Sequence, residues 1–276
     1  MRKTVSTSGA LASAAVALLS LAAGRPARAE PLQSPPAAAR PAGADFRYAK
    51  ALPAGQKVSI RNIVGTIRAE PSSSATLEVL ATKVSEGGDP ALVRVVANEG
   101  PGGVTVCALY SGGDSCEGAQ QGRHAGPQGD NVRVEFVVRV PAGLVFEAAN
   151  VSGNIEARGL RSDVRATAVS GNVEVSTSSG AVEAKSVSGT VRVAMGAPRE
   201  GASSSATAVS GSVEVKLPAQ SNFDAEAKTI SGTIETEFGL PVQKGFVGQS
   251  LRGRVGRGGA PLRIETVSGS IRLSRG

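Results

Sequence analysis

The chain has 276 residues, with 30 basic and 23 acidic side chains, a formal net charge of +7, 3% aromatic residues and no Trp. Four of the basic residues (Arg2, Lys3, Arg25 and Arg28) lie in the first 29 positions, which carry no acid, so the remainder has 26 against 23, a net +3. That is an ordinary solubility charge, and it excludes the concentrated basic footprint of a nucleic-acid binder.

Residues 1–29 have the three parts of a secretory signal peptide. Arg2-Lys3 forms the basic start, residues 10–23 form an apolar stretch rich in Ala and Leu, and Ala27-Arg28-Ala29 offers small residues for cleavage. The apolar stretch is too short and too Ala-rich to span a bilayer comfortably. No Cys follows it, which argues against a lipid anchor, and Arg2-Lys3 is not a twin-arginine pair. The expectation is an exported protein, periplasmic, surface-held or released, that does not span the membrane once the signal is removed. Residues 30–44, with Pro31, Pro35, Pro36 and Pro41 among alanines, read as an extended linker.

From residue 45 onward, apolar residues do not recur at helical spacing; short alternating runs punctuated by Gly, Ser, Asn and Pro predict an all-β chain. Residues 45–141 carry several of these runs. Val58-Ser59-Ile60-Arg61 leads into Ile63 to Arg68, and Leu77, Val79 and Ala81 alternate with Glu78, Leu80 and Thr82. Val93-Arg94-Val95 and Val104-Thr105-Val106 follow, and Val132, Val134, Phe136, Val138 and Val140 close the region. Together they predict a smaller β-sheet or sandwich-like region ahead of whatever comes next. The two cysteines, Cys107 and Cys116, lie here and flank a Gly-rich loop. In an exported chain they predict a local disulfide, worth about 2–3 kcal/mol by the chain-entropy argument. Two cysteines and one His, His124, are too few for a metal site.

Residues 142–276 hold a repeat. Val151-Ser152-Gly153-Asn154-Ile155-Glu156-Ala157 recurs as Val169-Ser170-Gly171-Asn172-Val173-Glu174-Val175 and as Val187-Ser188-Gly189-Thr190-Val191-Arg192-Val193. It returns at Val209 to Val215, Ile230 to Thr236 and Val267 to Leu273, with Gly-to-Gly spacings of 18, 18, 22, 21 and 37. This regularity predicts a repeat architecture. Positions two before, two after and four after the Gly are apolar and are expected inward; positions one before, one after and three after are polar and are expected outward. The Gly falls on the inward side, where it marks close backbone approach or a bend. A second apolar pair upstream, such as Val164 and Ala166 or Leu262 and Ile264, is out of phase and implies a bend within each unit. One coil then holds two short strands and two turns, and the coils stack into a β-solenoid with parallel ladders. A meander of antiparallel hairpins with the same period is the competing architecture. Residues 238–261, rich in Gly and Arg, read as a solvated loop or irregular coil.

The Val-Ser-Gly-x-Ile/Val-x-Val repeats, with Gln56 to Ile60 and Val64-Gly65-Thr66-Ile67 as opening strands, resemble the putative adhesin family of bacterial exported β-strand-repeat proteins, a domain class without assigned function. The resemblance covers residues 45–276 and implies an envelope or surface location and a solenoid-like fold. It brings no catalytic residues with it.

An enzyme of the β-helix kind acting on polysaccharide needs clustered carboxylates or a metal with basic partners. Glu156, Glu174, Glu214 and Glu235 recur at one repeat position, which is also what a plain solvated face produces. No nucleophile elbow, calcium-binding repeat or phosphate loop is present. The expectation is therefore no catalysis, no cofactor and no metal. A polar, repetitive face of Asn154, Asn172, Thr190, Ser212 and Thr233 beside Glu156, Glu174, Arg192, Glu214 and Glu235 suits an envelope polysaccharide or another surface component. The alternative is a spacer, scaffold or envelope-stress-related protein with no defined ligand.

Overall fold

The computed structural model describes residues 45–110, Cys116 and residues 131–276, all within one compact unit. The expected signal peptide, the linker and His124 lie outside the described residues.

Each repeat is one coil of two strands joined at the Ser-Gly step. Strands are numbered in chain order. The coils are β8 (Val145–Ser152) with β9 (Ile155–Leu160), β10 (Asp163–Ser170) with β11 (Val173–Thr177), and β12 (Val182–Ser188) with β13 (Val191–Met195). β14 (Ser204–Ser210) with β15 (Val213–Leu217), β16 (Phe223–Ser231) with β17 (Ile234–Thr236), and β20 (Pro261–Ser268) with β21 (Ile271–Arg275) continue the series. β2 (Lys57–Val64) with β3 (Ile67–Pro71) supplies one further coil of the same kind from the N-terminal region. First strands form one sheet and second strands the other, all in parallel register. Like residues stack on like: Ser170 pairs with Ser152 and Ser188, and Val173 with Ile155 and Val191. The architecture is thus the parallel solenoid, not the antiparallel meander.

The core lies between the two sheets. In β10, Val164, Ala166 and Ala168 point inward, and in β11 Val173, Val175 and Thr177 meet them. Small and β-branched side chains suit so thin a core, with each buried Val or Ile contributing about 1.5–3 kcal/mol. The Gly of the repeat sits at the bend instead of in this core. At Gly171 φ is +150°, and a Cβ would stand 2.1 Å from the carbonyl oxygen of Gly153 in the adjacent coil. Backbone packs on backbone there, so only Gly fits.

One part of the expected face assignment is corrected. The Val two before the Gly is not buried: Val169, Val187, Val209, Val267 and Ile230 are exposed. The bend at Gly restarts the alternation, so this Val belongs to the phase of the first strand and faces out. The inward residue is the one before it, and there the chain often places a polar side chain that satisfies a Gly carbonyl next door. Asn150 Nδ2 donates to Gly65 O at 2.7 Å, Ser186 Oγ to Gly171 O at 2.9 Å, Thr266 Oγ1 to Gly211 O at 2.8 Å and Thr229 Oγ1 to Gly269 O at 3.0 Å.

Coils do not stack in chain order. The C-terminal pair β20–β21 lies between β14–β15 and β16–β17 in both sheets. Residues 238–261 are likewise not a free loop. They hold the short hairpin of β18 (Val242–Lys244) and β19 (Gln249–Val255), and β19 runs antiparallel along β16. Arg252 and Arg254 there find Glu226 and Asp224 on β16, at 2.6 and 2.9 Å, which anchors a segment whose composition alone looked like loop.

At the opposite end, antiparallel strands extend the stack. β1 (Phe46–Ala51) pairs with β4 (Thr76–Ser85), β4 with β7 (Val132–Val140), and β7 lies parallel to β3. β5 (Val93–Gly100) and β6 (Gly103–Tyr110) form a hairpin set parallel on β2. A disulfide joins Cys107 in β6 to Cys116, with Cα atoms 5.6 Å apart.

Candidate polar face

Two outward rows run across the coils, the first at the bends and the second on the second-strand sheet. The first begins one residue after each Gly. Asn154 Oδ1 accepts the backbone N–H of Asn172 at 2.9 Å, and Asn172 Oδ1 accepts that of Thr190 at 2.9 Å. Ser212 Oγ accepts from Ser270 N at 3.4 Å, and the hydroxyls of Thr233 and Ser270 lie 3.1 Å apart. These side chains serve the bend, where the ladder opens and leaves backbone groups to be satisfied.

The second row carries charge. In stack order it runs Arg68, Glu156, Glu174, Arg192, Glu214, Arg272, Glu235. Arg68 Nε is 3.4 Å from Glu156, Arg192 Nε 3.2 Å from Glu214, and Arg272 Nη2 2.8 Å from Glu235. The one like-charged step, Glu156 beside Glu174, is bridged by Arg158. Its guanidinium grips Glu174 with two bonds of 3.0 Å and reaches Glu156 at 3.4 Å. The bonds and charge of Glu174, with that of Glu156 behind them, push the Arg158 pKa further up. Glu156 is the exception among mostly exposed partners, and the surface pairs Arg192–Glu214 and Arg272–Glu235 contribute about 0.2–1 kcal/mol each.

Of the ten residues expected on the polar face, Glu156, Glu174, Arg192, Glu214 and Glu235 lie in the second-strand sheet, and Asn154, Asn172, Thr190, Ser212 and Thr233 lie at the bends just before it. Four others were missed: Arg68, Arg158, Ser270 and Arg272. Ser270 and Arg272 carry the repeat signal, but their place within the row depends on the stacking order. Arg158 lies outside the motif and carries no such signal. Glu174, Ser176, Arg192, Ala194, Glu214 and Lys216 surround a shallow depression of about 360 Å³. A larger one, about 610 Å³, lies on the first-strand sheet among Asp224, Glu226, Arg252, Arg254 and Arg263. The backbone N–H of Gly259 and the Arg254 guanidinium lower the Asp224 pKa, and Arg252 lowers that of Glu226. Among the described residues, no group of three or more His, Cys, Asp or Glu side chains could hold a metal, and no helix is long and apolar enough to cross a membrane.

The model of the Toastrack DUF4097 family matches residues 110–274. The chain belongs to that family. The Toastrack match takes in all the Val-Ser-Gly coils and accords with the parallel two-sheet stack. Similar solved structures include a putative cell adhesion protein from Clostridium sporogenes ATCC 15579, at 12% identity and a TM-score of 0.35, covering 84% of this chain and 99% of that one. A putative adhesin from Bacteroides fragilis NCTC 9343 aligns at 10% identity and a TM-score of 0.26, covering 83% and 96%. Comparison with curated protein sequences gives no match.

Proposed function

We propose that this is a non-catalytic, exported envelope or surface protein that holds a repetitive polymer, an envelope polysaccharide by its chemistry, along the two outward rows. The observation that supports this reading is the in-register row of charges from Arg68 to Glu235, beside the row of amides and hydroxyls at the bends, both repeating at the strand spacing. A regular polymer meets such a surface at many points, so weak single contacts accumulate. The acids of the row are engaged by arginines, which suits holding a ligand better than acid–base work.

A scaffold reading has its own support, since the rows satisfy one another without any ligand. The two readings separate in a retention assay on isolated cell-wall polysaccharide. Glu174→Gln, Arg192→Gln and Glu214→Gln together remove three of the four charges around the depression, Lys216 keeping the fourth, and leave a polar amide at each place. On the binding reading, retention falls at least tenfold with an unchanged circular dichroism spectrum. Wild-type retention by the folded triple variant removes this face as the binding site and leaves the scaffold.

A further inference from the structure

Seven of the eight large hydrophobic side chains exposed among the described residues fall on one line. Strands β10, β12, β14, β20 and β16, neighbours in that order, contribute Val169, Val187, Val209, Val267 and Ile230, each 44–47% exposed. The β18–β19 hairpin extends the line. Its Gly248 lies so close to β16 that a Cβ would meet Thr229 O at 2.0 Å and Ile230 Cα at 3.0 Å. The two residues before that Gly are Phe246 and Val247, 107% and 68% exposed. A turn closed by Gly245 N donating to Gly248 O at 3.1 Å holds them out. At about 4.8 Å per strand, the line from β10 to β18 is roughly 30 Å long.

These side chains take no part in the core, and nothing in the fold is shaped to receive them. Exposed serines, such as Ser188, Ser210 and Ser268, run along one side. Lys228 and Lys185, the latter paired with Glu183, lie on the other side, with Lys244 at the base of the hairpin tip. The acid in that flanking row, Glu265, is held by Arg263 at 2.8 Å. We propose that this edge is a lipid-binding ridge, with the Phe246–Val247 tip entering the interface of a bilayer that carries anionic headgroups. A flat, fluid surface accepts a straight apolar row and a convex knob without a matching pocket. Lysines beside buried apolar groups are the composition of interfacial attachment, and an aromatic ring is stable at the headgroup level. A glycan fits the tip poorly, because the tip offers no polar side chain to orient a sugar. This ridge is separate from the polar face and does not depend on that face binding a polymer.

The chain has no Trp, so Phe246→Trp in the full chain gives a single indole at the tip, where full exposure makes the exchange harmless to the fold. The probes are vesicles of phosphatidylcholine alone and of phosphatidylcholine with phosphatidylglycerol. The expected result is a blue shift with the mixed vesicles, quenching by brominated acyl chains, and weaker response to phosphatidylcholine alone. In co-sedimentation, Phe246→Ser with Val247→Ser should lower binding at least fivefold, and Val187→Thr with Val209→Thr should lower it less. Water-like emission with both vesicle types overturns the proposal. So does a blue shift produced by cell-wall glycan or by raising the protein concentration without lipid, which would assign the ridge to a glycan or to a second copy.

Discussion

Gly171→Ala tests the central feature of the stack. The new Cβ would stand 2.1 Å from Gly153 O and 2.6 Å from its carbonyl carbon, both backbone atoms of the adjacent coil's bend. No rotamer relieves that contact, so two coils must part locally at the bend. Overpacking of this kind costs about 1–3 kcal/mol, and placing Ala at φ +150° adds roughly 1–3 kcal/mol of backbone strain. Gly201→Ala is the control, since φ is +76° there and nothing lies within 4 Å of the added Cβ. Its cost is the conformational part alone, about 1–2 kcal/mol. Urea unfolding followed by circular dichroism gives both losses from the midpoint shift at constant slope. Gly171→Ala should lose roughly 2 kcal/mol more than the control. Equal losses would mean that close approach between coils is not what requires Gly at this position.

Ser186→Ala should cost about 1 kcal/mol by removing the donor to Gly171 O, while Ala168→Ser at the equivalent place should be tolerated; paired urea titrations compare them. Acid should destabilise the protein. Glu99, Glu183, Asp224 and Glu226 have lowered pKa values from bonded partners, chiefly Lys50, Lys185, the Gly259 N–H and Arg252. Carboxylates whose pKa is depressed on folding stabilise the native state above the unfolded value, near 4, and lose that contribution as pH falls through the folded value. Melting temperature should therefore be flat between about pH 6 and 8 and fall below about pH 4, and a rise on acidification would contradict this. Cleavage after Ala29 should leave a chain beginning at Glu30, and intact-mass measurement of exported protein retaining residues 1–29 would overturn the export reading.

The strands were legible because period-two alternation is a local property. Val132 to Val140 alternate in the sequence and in the structure, and the inward Val173 and Val175 follow from the motif. The outward Val169 was not legible, for a physical reason. Alternation holds only while the chain stays extended, and the positive φ of Gly171 breaks it. Counting across the Gly from Val173 puts Val169 inside, whereas counting within its own strand from Ala166 puts it outside. The upstream pair was already out of phase, so the bend was detectable but was placed too early. The polar face was legible as a set of residues and not as a set of contacts. Whether Glu214 meets Glu235 or Arg272 depends on which coil lies next, and the repeat says nothing about that.

The insertion of the last coil follows from what surrounds β16. Strand β19 occupies one edge of β16, so a strand returning to the same sheet must take the other edge, where β14 would otherwise sit. The chain crosses the start of β16 in the short segment from Gly256 to Ala260. Asn222 Oδ1 accepts from Arg257 N at 2.8 Å there, and Asp224 accepts from Gly259 N at 2.8 Å and from Arg254 Nε at 2.9 Å. The Gly- and Arg-rich composition of this segment is thus the chemistry of a tight crossing. Surface charge then agrees with the result. Stacking in chain order would set Glu214 beside Glu235, whereas insertion places Arg272 between them. Exposed pairs of this strength, about 0.2–1 kcal/mol each, are too weak to choose the order alone, but they penalise the serial alternative. At this end the second-strand sheet finishes on β17, only three residues long and bearing Glu235. A short, charged edge strand is a poor template for further pairing, so the coil left outermost is the one best suited to end the stack.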